Sequence, residues 1–210
     1  MPIDRVFLIG SGGHAGVVTD CLLMSMDADG IRIFDHDVSR NGSRVCGIGV
    51  IAPFDLSAIQ GPFHIAIGSN VTRSKLTTSL AQRDVTPQTV IHPHASVSAF
   101  ARIGVGCFIA ALAAVAANAE IGPGSIINHG AAIDHDSIVG DFTHIAPNAT
   151  LGGGVQIGDL AMVGSGAVIL PGVKIGKLSV VGAGAVVTQN VPDGEIWAGV
   201  PATFKRKDSD

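Results

Sequence analysis

The 210-residue chain carries a net charge of −4, is 47% hydrophobic and only 14% charged. That balance leaves no basic footprint for nucleic acid, no apolar run is long enough to span a bilayer, and Cys21, Cys46 and Cys107 make no disulfide framework. The start, Met1-Pro2-Ile3-Asp4-Arg5, lacks the basic-then-apolar layout of a signal peptide, so the expectation is a soluble protein of the reducing cytoplasm.

In chain order, Val6-Phe7-Leu8-Ile9 reads as a short strand that runs into Gly10-Ser11-Gly12-Gly13-His14-Ala15-Gly16. A helix is predicted over Val17 to Met26, then a strand at Ile31 to Phe34 ending on Asp35-His36-Asp37. A further strand is predicted between Val45 and Ile51, and a buried one over Phe63 to Ile67, closed by Gly68-Ser69-Asn70. A helix from Asn70 or Val71 to about Arg83 completes the region. Strands alternating with helices across short links imply a small parallel sheet. The expected division is an α/β domain at 1–88, a repeat domain at 89–193, and a cap with a basic tail at 194–210.

From Ile91 a new pattern takes over. Every sixth residue, through Val97, Ile103, Ile109, Val115 and on to Val187, is Ile, Val or Leu with no break in phase. Two residues before each ladder member, from Ala95 to Ala185, the side chain is small or β-branched. Gly often follows the ladder residue and is read as a corner. A period of six fits neither a helix nor a plain strand. It fits a coil of short strands with flat sides and tight corners, one large and one small residue pointing inward on each side. Asn190-Val191-Pro192-Asp193-Gly194 reads as the stop, because Pro cannot donate to a ladder. Lys205-Arg206-Lys207 beyond it reads as a solvated tail or as a contact for a coenzyme phosphate.

The phase of the ladder sorts the histidines. His129, His135 and His144 all fall off the inward positions, so a satisfied core role is disfavoured for each. His135 stands between Asp134 and Asp136, and a neighbouring carboxylate can fix an imidazole tautomer and raise its basicity. Residues 18 apart stack on successive coils, which sets Gly153 over His135. A base with an unhindered N–H one rung above is a layout for acyl transfer. A second column runs His129, Pro147, Ser165 and Ala183, and its upper part is expected to face the same corner line and form a groove for a thioester arm. In the first domain, the glycine loop between strand and helix is a place for phosphate, with Asp35 the usual partner for a ribose or base.

The hexad ladder resembles the hexapeptide-repeat acyltransferases, which implies a left-handed parallel β-helix of 18-residue triangular coils. The Ile-Gly-Ser-Gly-Gly-His start, the Ile-Ala-Ile-Gly-Ser-Asn strand, the Asp-His-Asp segment and the Gly-Val-Pro-Ala end together resemble the nucleotide-sugar N-acetyltransferases of that family. These acetylate the C4 amine of a UDP- or GDP-linked 4-amino-4,6-dideoxy sugar, as in the bacillosamine and perosamine pathways; sialic acid O-acetyltransferases are cousins. The resemblance implies a Rossmann-like nucleotide domain, a homotrimer with the active site shared between subunits, acetyl-CoA as cosubstrate and no metal. It implies Gly12, Gly13 and His14 at the diphosphate, Asp35 and His36 near the base or ribose, Gly68 in the same cleft and Asn128 near the sugar. His135 would be the general base and Asp136 its polarising partner, with Asp134 an open alternative. Gly153 would donate to the oxyanion, and His144, Gly153, Ser165 and Ala183 would contact acetyl-CoA. The family's nearest pattern at the base is Glu-His-Glu, so Asp-His-Asp here is a departure that alters reach. His36 follows Asp35 where an acidic pair is common, which leaves uracil or guanine open. Rival readings are O-acetylation of a free sugar or sialic acid, a His-metal enzyme of the carbonic anhydrase type using His129 and His135, and a non-catalytic nucleotide-binding trimer.

Overall fold

The computed structural model describes residues 5–207; the Met1–Asp4 part of the expected signal-free start and the last three residues of the expected tail lie outside them. The described chain forms two compact units that divide between Pro93 and His94.

The first unit is a five-stranded sheet. It comprises β1 (Val6–Ile9), α1 (Gly13–Leu23), β2 (Ile31–Phe34), β3 (Arg44–Val45), β4 (Ile48–Ile51), β5 (Phe63–Ile65) and α2 (Asn70–Ala81), with strand order β3-β4-β2-β1-β5. β1, β2, β4 and β5 run parallel, so the ends of β1, β2 and β5 share one edge. The expectation of an all-parallel sheet needs a correction: the single strand predicted across Val45 to Ile51 is a hairpin, with β3 antiparallel to β4. Cys46 and Gly47, at φ 47° and 83°, make its two-residue turn, the conformation that suits right-twisted strands. α1 also begins at Gly13, four residues before its predicted start, and ends at Leu23. The glycine loop therefore supplies the helix's own first turn. Phe7, Ile9, Phe34, Ile59, Phe63, Ile65 and Leu80 form a core of this unit. His64, between Phe63 and Ile65 on β5, is buried on the opposite face with Nδ1 2.9 Å from the Gln88 carbonyl oxygen, and burial pushes its imidazole down to about 4.

The second unit is a parallel β-helix. Two-residue strands recur every six residues and pair in parallel with the strand 18 residues on, as Ala114, Ala132, Thr150 and Val168 show on one face. Face 1 carries the strands from Ser96–Val97 to Val186–Val187, and face 2 those from Arg102–Ile103 to Lys174–Ile175. Face 3 carries those from Phe108–Ile109 to Val180–Val181, continued by Glu195–Ala198. The ladder residues from Ile109 to Val187 are all buried, with the small phase beside them. Where that phase is polar, the hydroxyl is satisfied: Ser125 Oγ donates to the Gly140 carbonyl at 2.8 Å and Ser179 Oγ to that of Pro192 at 2.6 Å.

Two features differ from the sequence reading. The glycines after the ladder residues are not the left-handed corners. They are points of close approach between coils: a Cβ on Gly158 would stand 2.5 Å from the Lys177 nitrogen, and one on Gly104 2.6 Å from that of Pro123. The left-handed residues come two positions later, at Gly106, Leu112, Asn118, Gly124, Gly130, Asp136 and so on every six residues. The stacking also runs past Pro192, since Glu195–Ala198 pairs with Val180–Val181, and Thr203–Lys207 returns along it as an antiparallel strand whose side chains, Lys205-Arg206-Lys207 included, are exposed.

Candidate active site

The corner between faces 1 and 2 holds His135. Asp134 follows the face-1 strand Ala132–Ile133 and accepts the His135 N–H at 2.7 Å, which pins the turn. Asp136 takes the left-handed position at φ 58°, and its Oδ2 lies 2.8 Å from His135 Nδ1. Asp136, not Asp134, is thus the carboxylate on the ring. A donating Nδ1–H leaves Nε2 as the lone-pair nitrogen, the state a base needs. The hydrogen bond that His135 donates to Asp136, and then the charge of Asp134, hold His135 above the ordinary histidine range; Asp136 is held below the carboxylate range by His135 and then Asn118. Both side chains are more than half exposed.

Gly153 sits one rung above, and Gly154 N–H donates to the His135 carbonyl at 2.9 Å. A Cβ on Gly153 would lie 2.7 Å from both Cε1 and Nε2 of His135, so the ring is packed flush against this glycine. The Gly153 N–H has no hydrogen-bond acceptor among the described residues.

The corner between faces 3 and 1 holds the other expected residues. Asn128 Oδ1 accepts the His129 N–H at 2.9 Å, which directs its amide Nδ2 toward His144 Nε2 at 3.1 Å. His144 is thereby an acceptor at Nε2 and carries its proton on Nδ1. Carbonyl-to-amide bonds link the corner upward, His129 to Asn148 at 2.9 Å, Pro147 to Gly166 at 2.9 Å and Ser165 to Gly184 at 2.8 Å. Ser165 and Ala183 are exposed on it. The expectation that this column faces the same line as His135 is wrong. Six residues traverse one whole side of the triangle, so the two columns border opposite edges of face 1. Within one copy, His129 and His135 cannot share an ion. Among the described residues, no group of three or more His, Cys, Asp or Glu is placed to hold a metal, and no helix is long and apolar enough to cross a membrane.

In the first unit, the glycine loop, Asp35 and Gly68 meet at the carboxyl edge of the sheet. Strand order reverses between β1 and β5, the position where open α/β sheets bind ligands. Gly10, at φ 111°, leaves no room for a Cβ, which would be 2.8 Å from the Ala66 carbonyl oxygen. Gly12 caps α1, and Gly12 and Gly13 are exposed with open space around them. His14 is half-buried in the first turn. Asp35 turns out to be a clamp on the loop. Its Oδ2 accepts both the N–H and O–H of Ser11, at 2.8 and 2.6 Å, and its Oδ1 the Asp37 N–H at 2.9 Å. Partial burial pushes its carboxyl up, and these hydrogen bonds outweigh that and leave it below the usual range. His36 beside it is exposed and lies against Phe54, with ring centroids 4.5 Å apart and the planes tilted by 30°.

Sequence reasoning missed Arg73. It is fully buried in α2 and donates to the carbonyls of Ile67 and Gly68 at 3.0 and 3.2 Å and to Asn70 Oδ1 at 2.8 Å, which fixes the Gly68 turn. Its signal was a lone Arg on the same helical stripe as Leu76 and Leu80. Ser69, whose hydroxyl caps α2 by accepting Thr72 N–H at 3.3 Å, directs a second helix N-terminus to the same edge.

Residues 5–80 match the PglD N-terminal domain, and residues 136–170 and 154–189 match the bacterial transferase hexapeptide repeats. No curated protein sequence matches. Among solved structures, the chain resembles a perosamine N-acetyltransferase variant from Caulobacter crescentus in complex with CoA and GDP-perosamine. The identity is 37%, the TM-score 0.89, and 98% of each chain is covered. It also resembles the acetyltransferase domain of PglB from Neisseria gonorrhoeae FA1090 bound to acetyl coenzyme A, at 34% identity and TM-score 0.89 over 96% of this chain and 99% of that one. WeeI from Acinetobacter baumannii AYE follows at 27% and 0.85, over 96% and 99%. Fold and corner chemistry define an acyltransferase of the hexapeptide-repeat class. More narrowly, the chain belongs to the nucleotide-sugar N-acetyltransferases of that class, a family of acetyl-CoA-dependent enzymes.

Proposed function

We propose that the protein moves the acetyl group of acetyl-CoA onto the C4 amine of a UDP- or GDP-linked 4-amino-4,6-dideoxy sugar, with His135 as the general base. The observation that carries the reading is the corner itself: Nε2 of an Asp136-bonded His135 lies against Gly153, whose N–H is unengaged. The amine nitrogen attacks the thioester carbonyl carbon while His135 Nε2 takes an amine proton. The carbonyl oxygen gains the charge and is met by Gly153 N–H. The C–S bond then breaks, and the sulfur leaves with a proton from the imidazolium. Removing a positioned base costs ~10²–10⁴-fold in rate.

The nucleotide diphosphate belongs at Gly12, Gly13 and His14, where the N-terminus of α1 favours an anion. His36 lies toward the base, Asp35 acts by holding the loop, and Gly68 lines the cleft. Asn128 and His144, with Ser165 and Ala183, serve the sugar and acetyl-CoA from the other edge of face 1. Because that edge is remote from His135 within one copy, the active site is completed by a second subunit in a homotrimer. The outward residues of face 1, including Ala114, Ala132 and Thr150, are small enough for close approach. The Caulobacter enzyme has been solved as variants with one histidine changed to Asn or Ala, each holding both CoA and GDP-perosamine. We take that histidine as the counterpart of His135, a residue of chemistry rather than binding.

Thiol release from acetyl-CoA, followed across UDP- and GDP-linked 4-amino sugars and free sugars, tests the reading. Turnover of one nucleotide sugar, lost by at least ~100-fold in His135→Ala with both substrates still binding, is the expected result. Turnover retained in that variant, or confined to free sugars, overturns it. For the shared site, His135→Ala and Ala183→Trp are each inactive alone and regain activity when co-expressed. No recovery in mixed trimers would place the whole site on one chain.

A further inference from the structure

The family reading gives Asp136 a role on His135 and leaves open what holds Asp136, an exposed side chain. One rung below, 18 residues earlier on the same corner, stands Asn118. Its Nδ2 donates to Asp136 Oδ1 at 3.0 Å while Oδ2 faces the imidazole at 2.8 Å. Both oxygens of one carboxylate are thus spanned by two partners on successive coils. Asn118 and Asp136 share the left-handed backbone, at φ 60° and 58°, so the coil repeat itself aims the amide at the carboxylate.

We infer that Asn118 is a positioning residue of the reaction: its amide locks the carboxylate plane of Asp136 and thereby keeps the proton of His135 on Nδ1. The inference rests on His135 being the base. Amide, carboxylate and imidazole form one chain, Asn118 to Asp136 to His135, and the reactive nitrogen lies at its far end. Asp134 is the other charged group at the ring. The rung below offers Ala117 and Asn118 and the rung above Gly153 and Gly154, with no charge on either. Those rungs hold the backbone of His135 and Asp136, through Gly154 N–H and the Ala117 carbonyl, and Asn118 alone among them reaches the Asp136 carboxylate.

The direction of the effect follows from two opposing influences. The amide draws charge from Asp136, which weakens its pull on an imidazolium. It also keeps the carboxylate on Nδ1, and that contact is the largest of the influences that hold His135 above its ordinary range. The contact wins, so loss of the amide lets His135 titrate at lower pH. The base is then deprotonated over a wider range but is weaker and less often in the productive tautomer.

Asn118→Gly removes the amide and keeps a backbone that accepts the left-handed state without strain. We expect kcat to fall about 10-fold with each KM within about two-fold of wild type. The acid limb of the kcat profile moves to lower pH, and so does the His135 titration read directly by NMR. Adding Asn118→Gly to Asp136→Asn produces no further loss, because the amide acts through the carboxylate. A wild-type pH profile and titration in Asn118→Gly, or losses that multiply in the double variant, overturn the inference. His135→Ala run alongside separates the two levels. If it is inactive while Asn118→Gly behaves as wild type, the relay alone falls. If it turns over normally, the base assignment falls and the relay with it.

Discussion

The corner between faces 1 and 2 and the corner between faces 2 and 3 use the same backbone and opposite side chains. At the first, the left-handed positions are Asn118, Asp136, Gly154 and Gly172; at the second they include Phe142, Leu160 and Leu178. A left-handed L-residue costs roughly 1–2 kcal/mol unless it is Gly, Asn or Asp. Above Gly106 and Gly124, the second corner carries that cost with bulky apolar residues, and the Phe142 ring fills the space over Gly124. The first avoids the cost and places donors and acceptors at the same geometry. The coil is indifferent to which residue it turns on, so the identity of the corner residue reports what the corner is for. The middle residues differ likewise: His135 and Gly153 at the first, Asp141 and Asp159 at the second. There Asp159 Oδ1 accepts the Asp141 N–H at 3.0 Å, a bond that joins coil to coil. Burial and the charge of Asp159 push the Asp141 carboxyl up.

The largest expected effect that separates the two corners comes from Gly153→Ala. No positive φ forbids the methyl, and its three nearest neighbours are all atoms of the His135 ring. That ring is exposed and can swing aside, so thermal stability should stay within about 0.5 kcal/mol of wild type. Its displacement, and the crowding of the N–H meant for the oxyanion, should lower kcat/KM about 100-fold. Steady-state kinetics and a melting curve on one preparation check this. Wild-type kinetics would show that the flush packing of Gly153 on His135 is incidental.

Gly158→Ala is the converse. Gly158 follows the ladder residue where face 2 turns toward face 3, and its Cβ would meet the backbone of Lys177 at 2.5 Å. Backbone cannot swing away, and the coils there are tied by Gly158 N–H to the Ile175 carbonyl at 2.8 Å. The expected cost is about 1–3 kcal/mol of stability, with kinetic constants within two-fold of wild type well below the melting temperature. Denaturant titration gives the first and substrate saturation curves the second. A stable, inactive Gly158→Ala would mean that the second corner also takes part in the reaction.

The contrast also shows what a sequence can announce. The six-residue ladder is visible because burial demands a large residue at a fixed phase, and the same phase ejects His135 from the core. The 18-residue repeat puts Gly153 over it. The same ruler, moved one rung down from Asp136, reaches Asn118, which is illegible only because a polar residue on a corner looks like any solvated one. The two kinds of glycine are harder. Gly152 answers to the coil above it and Gly154 to its own φ of 68°, and nothing in the letters tells them apart. The hairpin at Cys46-Gly47 hid for a related reason, since Cys is a rare occupant of a left-handed turn. Asp35 was legible as a functional acid but not as a clamp, because its hydrogen bonds to Ser11 cross from one strand end to the next.

The smallest expected effect is the most direct test of the indifference of the coil. Leu178 lies at the second corner at φ 59°, 43% exposed, one rung above Leu160. Leu178→Asn replaces a strained residue by one that tolerates the left-handed state, as Asn118 and Asn148 do in this chain. The relief, about 1 kcal/mol, is offset by the loss of the leucine's buried apolar surface, about 1 kcal/mol for a half-exposed side chain. Stability should therefore change by less than about 0.5 kcal/mol, and activity should not change. Asp136→Asn is its partner at the first corner, with an equally comfortable backbone, and should lose turnover because the ring of His135 loses its carboxylate. If Leu178→Asn instead costs more than about 2 kcal/mol, the second corner is held by packing its apolar column, and Leu there is a requirement of the fold rather than a residue the coil merely permits.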